Sequence, residues 1–247
     1  MMKKNKIELN RAQIKYIAIA AMLLDHLAAF LLLPEKHPTF IVLYIIMRTI
    51  GRVAAPIMFF FLVEGFTHTS SKRNYCLRLL SFAILSQIPY SLVRYGSAAS
   101  GDLNVMFTLL FSLLMLMVVE KTTNQIIKGM TVFFFMFISV FSDWGLIGPL
   151  MVWLFYVNRS DRKKQVRDYL LVVGIQLFSA VLFIICNTQS WYEGICQLGT
   201  FLVIPILLAY SGESGKKTVV NKWLFYFFYP IHFIVIMVIM MVIGKID

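Results

Sequence analysis

IKYIAIAAMLLDHLAAFLLLP, Ile14 to Pro34, decides the fold. It is about the length that crosses a bilayer as a helix, yet it carries Asp25 and His26 side by side. An acidic residue at the centre of a membrane helix costs about 2.5–3.5 kcal/mol on insertion scales, so the pair needs a reason. The rest of the chain resolves the first half of that problem. Of 247 residues, 60% are hydrophobic and only 14% charged, and the mean hydropathy of +0.79 lies far above that of a soluble domain. Apolar runs recur from end to end with polar punctuation between them, and the short alternating segments of a membrane barrel are absent. The expectation is an all-α, polytopic membrane bundle forming a single domain over 1–247.

Nine spans are expected, at roughly 13–33, 39–67, 75–92, 104–120, 127–142, 144–158, 169–187, 193–210 and 222–244. The fifth and sixth are short and separated only by Ser142-Asp143-Trp144-Gly145, which suits either two tight spans or a re-entrant pair. Basic residues gather at alternate ends: Lys3, Lys4, Lys6, Arg11 and Lys15; Lys72, Arg73 and Arg78; Lys121 and Lys128; Arg159 to Arg167; Lys216, Lys217 and Lys222. Lys36, Arg94 and Lys245 fall on the other side. This asymmetry places the N-terminus in the cytoplasm, and it accounts for the formal charge of +11 without a nucleic-acid partner. The apolar stretch before Ala18-Ile19-Ala20 is too short for a cleaved signal peptide, so the first helix is expected to stay. Cys76, Cys186 and Cys196 read as small buried thiols, although the last two lie at facing helix ends.

What remains is a small set of ionisable residues that topology does not require, and inside a bilayer such residues are functional candidates. They are Asp25 and His26 in the first span, Arg48, Arg52, Glu64 and His68 in the second, and His232 in the last. Arg48 and Arg52 are four apart on one helical face, where like charges repel, so something anionic must face them: Asp25, a phosphate-bearing ligand, or both. Pro56 cannot bond the Arg52 carbonyl and is expected to bend the second helix beside Gly51. By depth His26, Arg48, Arg52 and His232 can share one cavity, while Asn104, Asp143 and Asn187 sit at outer helix ends where a polar mouth forms. Four dispersed histidines show no metal-ligand spacing beyond Glu64 and His68.

The ordered series is more specific than any piece of it. Asp25-His26, then R-x-x-x-R with GRVAAP at 51–56, FLVEGFTHT at 61–69, KRNYCLRLL at 72–80, SQIPY at 86–90, NVMFTL at 104–109, SDWG at 142–145 and FYFFYPIHF at 225–233 together resemble the TraX family. That family takes its name from a conjugation-associated protein that acetylates the N-terminus of F-type pilin, and it is grouped with multi-spanning acyltransferases that use acetyl-CoA. The resemblance implies a bacterial cytoplasmic-membrane enzyme, with acetyl-CoA as donor and a pilin amine or an envelope sugar or polymer as acceptor. Residues in the chain suit that chemistry. His26 is the candidate base, with Asp25 and His232 beside it; His232 is a candidate donor to the thioester oxygen. Arg48, Arg52, Arg73 and Arg78 are candidates for the phosphates of coenzyme A, and Glu64, Asn104 and Asp143 for the acceptor. Two readings compete: a proton-coupled carrier using Asp25, His26, Arg48 and Arg52, and a non-catalytic scaffold for an envelope protein.

Overall fold

The computed structural model describes residues 8–32, 38–98, 101–186, 191–213, 215 and 219–245. Lys3, Lys4, Lys6, Lys36, His37, Asn187, Lys216 and Lys217 lie outside the described residues, as does the side chain of Lys222. All regular structure among the described residues is helical, with two isolated bridges, Leu9 to Tyr210 and Leu103 to Ser142. The helices are α1 (Arg11–Leu27), α2 (Ile41–Gly51), α3 (Ala54–His68), α4 (Lys72–Tyr95), α5 (Val105–Lys121), α6 (Gln125–Ser139), α7 (Ile147–Val157), α8 (Arg162–Cys186), α9 (Trp191–Cys196), α10 (Val203–Ala209) and α11 (Val219–Val242).

Local sequence explains where several of these begin and stop. Asn10 starts α1 with a reciprocal capping box, its side chain accepting from the Gln13 N–H while the Gln13 side chain accepts from its own. Ser71, Asn104 and Asn124 cap α4, α5 and α6 in the same way, each accepting from a first-turn N–H. Gly96 ends α4 in the left-handed conformation that favours glycine. The expected bend before Pro56 is a full break: α2 stops at Gly51, Arg52 and Val53 form a turn, and α3 starts at Ala54. Just past His26, α1 widens into a π-helical turn over Ala28–Leu32, a distortion that recurs at functional sites. The Lys245 ammonium bonds two carbonyls of that turn, those of Phe30 and Leu31.

α3 is the hub. Eleven of its fifteen residues are buried, so it is apolar on every face because it meets protein on every face. α6 and α8 do the reverse. Ile126, Met130, Phe133 and Phe137 line one exposed stripe of α6, and Leu171, Ile175, Phe178, Leu182 and Ile185 line one of α8. Apolar stripes facing outwards are the signature of lipid contact, inverted from the soluble case. Main-chain bonds from Leu9 to Ala209, from Ser211 to Leu9 and from Arg11 to Glu213 fasten the start of α1 to the segment after α10.

Among the described residues, six stretches are by length and composition apolar enough to cross a membrane, against the nine spans expected: Arg11–Leu32, Pro38–His68, Lys72–Tyr95, Arg162–Cys186, Trp191–Ala209 and Trp223–Val242. The expected spans at 104–120, 127–142 and 144–158 correspond to α5, α6 and α7, of 17, 15 and 11 residues. At 1.5 Å per residue these reach about 26, 23 and 16 Å, short of a hydrocarbon core of about 30 Å. α6 and α7 form a tight pair whose turn is tied back by Leu103 and Ser142. The cysteine expectation also needs correcting: Cys196 is buried, Cys76 is half-buried, and Cys186 is exposed, because it ends the lipid-facing α8. All three are free thiols.

Candidate functional site

The site is built on α1, where Asp25 and His26 are neighbours in sequence and therefore point about 100° apart around the helix. Asp25 faces α2. Its carboxylate accepts from Arg48 Nη1 at 2.8 Å and from Arg52 Nη2 at 2.6 Å. The four-residue spacing of the two arginines is what lets one carboxylate take both. Gly51 lies between them on the same face, and a Cβ there would overlap the Asp25 side chain, so glycine is what allows α1 this close. A second carboxylate balances the second guanidinium: Glu193 on α9 accepts from Arg48 Nη2 at 3.2 Å and from the Tyr44 hydroxyl. α9 is held there by the following turn, where Gly199 abuts the Thr49 main chain too closely for any side chain. The cluster is thus two arginines against two acids, with Asp25 and both arginines largely removed from solvent and Glu193 a third exposed.

His26 faces α11. Its Nδ1 lies 2.7 Å from Nε2 of His232, and Nδ1 of His232 lies 2.9 Å from the Phe228 carbonyl oxygen. The imidazole centroids are 4.9 Å apart with planes 5° from parallel, which with so short an N···N contact means two coplanar rings meeting edge to edge. Phe233 and Phe228 pack against the pair and keep water from its far side.

Three cavities lie along the inner face of α1. The largest, about 340 Å³, is at the end where α1 finishes and is lined by Asp25, His26, Arg48, Arg52, Arg94, Asp143, Glu193 and the tyrosines 44, 90 and 229. A narrow apolar one of about 80 Å³ follows, bounded by Met58, Leu62, Leu79, Met106 and Leu109, and it shares Met58 with the first. The third, about 270 Å³, lies where α1 begins and shares Lys15, Phe61, Tyr75 and Tyr226 with the second. It is basic. Arg11 there is paired with Glu64 at 3.0 Å. Lys15 meets only the faces of Phe225 and Phe61, 5.0 and 6.0 Å from their centroids, and has no carboxylate partner among the described residues. Arg78 lies over Tyr75 and reaches the Tyr226 hydroxyl, while its buried Nε–H has no acceptor among the described residues.

The sequence candidates thus fall into two groups. Asp25, His26, Arg48, Arg52 and Asp143 come together at the large cavity, with His232 directly behind His26. Arg78 lines the basic cavity at the opposite end, and Glu64 lies nearby, bonded to Arg11 and the Tyr210 hydroxyl. Arg73 is exposed and lines none of the three. Asn104 is buried, and its amide is consumed in accepting from the Met106 N–H and donating to Ala83 and Gln87, which joins α4 to α5. His68 bonds the Glu64 carbonyl on its own helix. Residues that sequence reasoning passed over are Glu193, Tyr44, Arg94, Tyr90 and Tyr229 at the large cavity and Lys15 at the basic one. Trp144 was passed over too; it adopts a positive φ of 64°, costly for a bulky side chain, in the turn that presents Asp143 to the cavity. A buried-side tyrosine in an apolar run looks like packing, and a charge near a span end looks topogenic, so only the geometry separates these from their neighbours.

Comparison with known proteins adds the family. The model described as TraX protein matches residues 10–240. A curated protein of Dichelobacter nodosus, named "Probable fimbrial assembly protein FimC, serogroup H1", is 32% identical over 234 residues, covering 92% of this chain and 93% of its own. No solved structure matches the chain.

Proposed function

The chain belongs to the TraX family, and from that premise we propose that it is an integral membrane acetyltransferase, moving an acetyl group from cytosolic acetyl-CoA to an acceptor at the other face. The observation that carries this reading is the line of three cavities, basic at one end, apolar in the middle, and polar with a histidine at the other. Acetyl-CoA has the same order of parts. Its phosphates suit Lys15 and Arg78, cations that among the described residues lack a carboxylate and, in Arg78, retain a buried donor without an acceptor. Its pantetheine arm suits the apolar neck at Met58. Lys15 and His26 are eleven positions apart on α1, about 16 Å of helix, which an extended arm of that kind spans.

At the large cavity His26 acts as general base. It takes the proton from an acceptor amine or hydroxyl as that atom attacks the thioester carbonyl; the C–S bond breaks, and the proton returns to the departing CoA thiolate. Asp143, Arg94 and Tyr90, which also line this cavity, meet the acceptor. The basic end is the cytoplasmic one in this reading, which agrees with the gathering of lysines and arginines there. A pilin-type N-terminal amine is the acceptor favoured by the relative named for fimbrial assembly; an envelope sugar or polymer is the other acceptor of this chemistry.

The test uses purified full-length protein in lipid nanodiscs with radiolabelled acetyl-CoA, assayed for donor binding, for CoA release and for label transfer to a pilin N-terminal peptide or an aminosugar. Wild type and His26→Ala are both expected to bind donor, and only wild type to release CoA in step with acceptor labelling. Met58→Trp, which fills the neck, is expected to lose release while donor still associates at the basic end. Failure of both wild type and His26→Ala to bind acetyl-CoA would overturn the proposal.

A further inference from the structure

We infer that His232 is a positioning residue that fixes the tautomer of His26, so that the Nε2 of His26 carries the free lone pair. The inference rests on the acetyltransferase reading only for its consequence in catalysis; the tautomer itself follows from the hydrogen bonds. A main-chain carbonyl can only accept, so the 2.9 Å contact between Phe228 O and Nδ1 of His232 puts a proton on that Nδ1. In the neutral ring Nε2 is then an acceptor. The 2.7 Å contact to His26 therefore requires His26 to donate from Nδ1. His26 is left with an unprotonated Nε2, the one ring atom for which no partner is found among the described residues, on a side chain that lines the large cavity.

This arrangement reverses the tautomer that histidine prefers in water, where Nε2 carries the proton. It also assigns His232 a different task from donating to a thioester oxygen, because both its nitrogens are already engaged, one with Phe228 and one with His26. His232 is 3% exposed, and Tyr229, Phe228 and Phe233 surround it, so no water competes for either bond. When His26 takes a proton at Nε2, its Nδ1–H bond to His232 strengthens, because the donor is then charged. The relay is thus carbonyl, histidine, histidine, acceptor. A carboxylate performs the orienting task in hydrolase triads. Here the only nearby carboxylate of α1, Asp25, is turned away and neutralised by Arg48 and Arg52.

The direct measurement is the 15N spectrum of histidine-labelled full-length protein in nanodiscs, assigned by loss of signal in His26→Ala. His26 is expected as the Nδ1–H tautomer in wild type and in His232→Gln, whose side-chain oxygen can still accept, and as the Nε2–H tautomer in His232→Phe. In the acetyl-transfer assay His232→Phe is expected to lower turnover by about 100-fold or more with the KM for acetyl-CoA within about threefold, and His232→Gln to recover at least a tenth of wild-type turnover. An Nε2–H tautomer in wild type, or full turnover in a folded His232→Phe protein, overturns the inference. If the Phe variant does not fold, the wild-type spectrum alone decides. An Nδ1–H tautomer in a protein that transfers no acetyl group supports the positioning inference while refuting the enzymatic reading.

Discussion

Asp25→Asn is the substitution whose cost can be worked most fully from the structure. The change keeps the volume of the side chain, so no cavity opens, and the effect is electrostatic. In wild type the Asp25 carboxylate serves Arg48 at 2.8 Å and Arg52 at 2.6 Å, and Glu193 serves Arg48 at 3.2 Å. Side-chain exposure of 11% for Asp25 and 13–14% for the arginines means that solvent screens these charges little. With asparagine, Arg48 retains Glu193 but Arg52 loses the carboxylate that balances it, and the new amide N–H₂ must face a guanidinium, donor against donor. Removing one partner of a buried pair costs about 3–5 kcal/mol, and at 2–4 °C per kcal/mol for a chain of this length that lowers the melting temperature by about 6–20 °C. The assay is thermal unfolding of detergent-solubilised protein, followed as the fraction that stays monodisperse. Asp25→Asn combined with Arg52→Gln removes the orphaned charge along with its partner, so the double variant is expected to be more stable than the two single effects summed, by about 0.5–3 kcal/mol. A loss below about 1 kcal/mol for Asp25→Asn, or strict additivity in the double variant, would show that the arginines do not depend on Asp25 and would refute the electrostatic account.

Two further outcomes follow from the same geometry. Lys15→Ala and Arg78→Ala, measured by steady-state kinetics of acetyl transfer, are each expected to raise the KM for acetyl-CoA by about tenfold with kcat within about twofold, the pattern of lost ground-state binding to a charged group. Gly51→Ala and Gly199→Ala force a Cβ into the Asp25 side chain and the Thr49 main chain respectively, so each is expected to destabilise by about 1–3 kcal/mol or more in thermal unfolding, whereas Gly174→Ala, with open space around it in α8, is expected to be neutral or stabilising.

Much of the fold was legible because membrane helices announce themselves by length and hydropathy. Every expected span has a helix beneath it, and a distortion ahead of Pro56 was legible from its missing N–H; that it is a full break was not, since Pro89 and Pro230 sit inside the unbroken helices α4 and α11. The span count was less legible. α5, α6 and α7 are as apolar as the longer helices, yet hydropathy does not report that α7 stops after 11 residues where Asn158 ends it. At the site, the need for an anion opposite Arg48 and Arg52 could be argued from their spacing, since two like charges on one face of a buried helix cannot stand unbalanced. That Asp25 is one answer was accessible. That Glu193 is the other was not, because it lies 145 positions from Arg48 and reads in sequence as the polar start of a helix. Lys15 was counted as a topogenic charge, and only the cavity around it gives it a second task.

The adjacency of Asp25 and His26, which made the first span anomalous, turns out to be the feature that divides two tasks. Had they been four apart they would share one face, and the carboxylate and imidazole would compete for the same arginines or bond each other. One residue apart, they address different helices: Asp25 locks α1 to α2 through Arg48 and Arg52, and His26 meets α11 through His232. The first contact fixes the rotation of α1, and that rotation sets where the His26 ring stands relative to α11 and the cavity. Asp25 therefore affects His26 through the helix they share rather than by touching it. The π-helical turn beginning at Ala28 comes immediately after the pair, where α1 has no further task of orientation and Lys245 holds its loosened carbonyls. A charged residue in the bilayer is costly on its own, but as one half of a rigid crossing it sets the angle at which its neighbour meets the site.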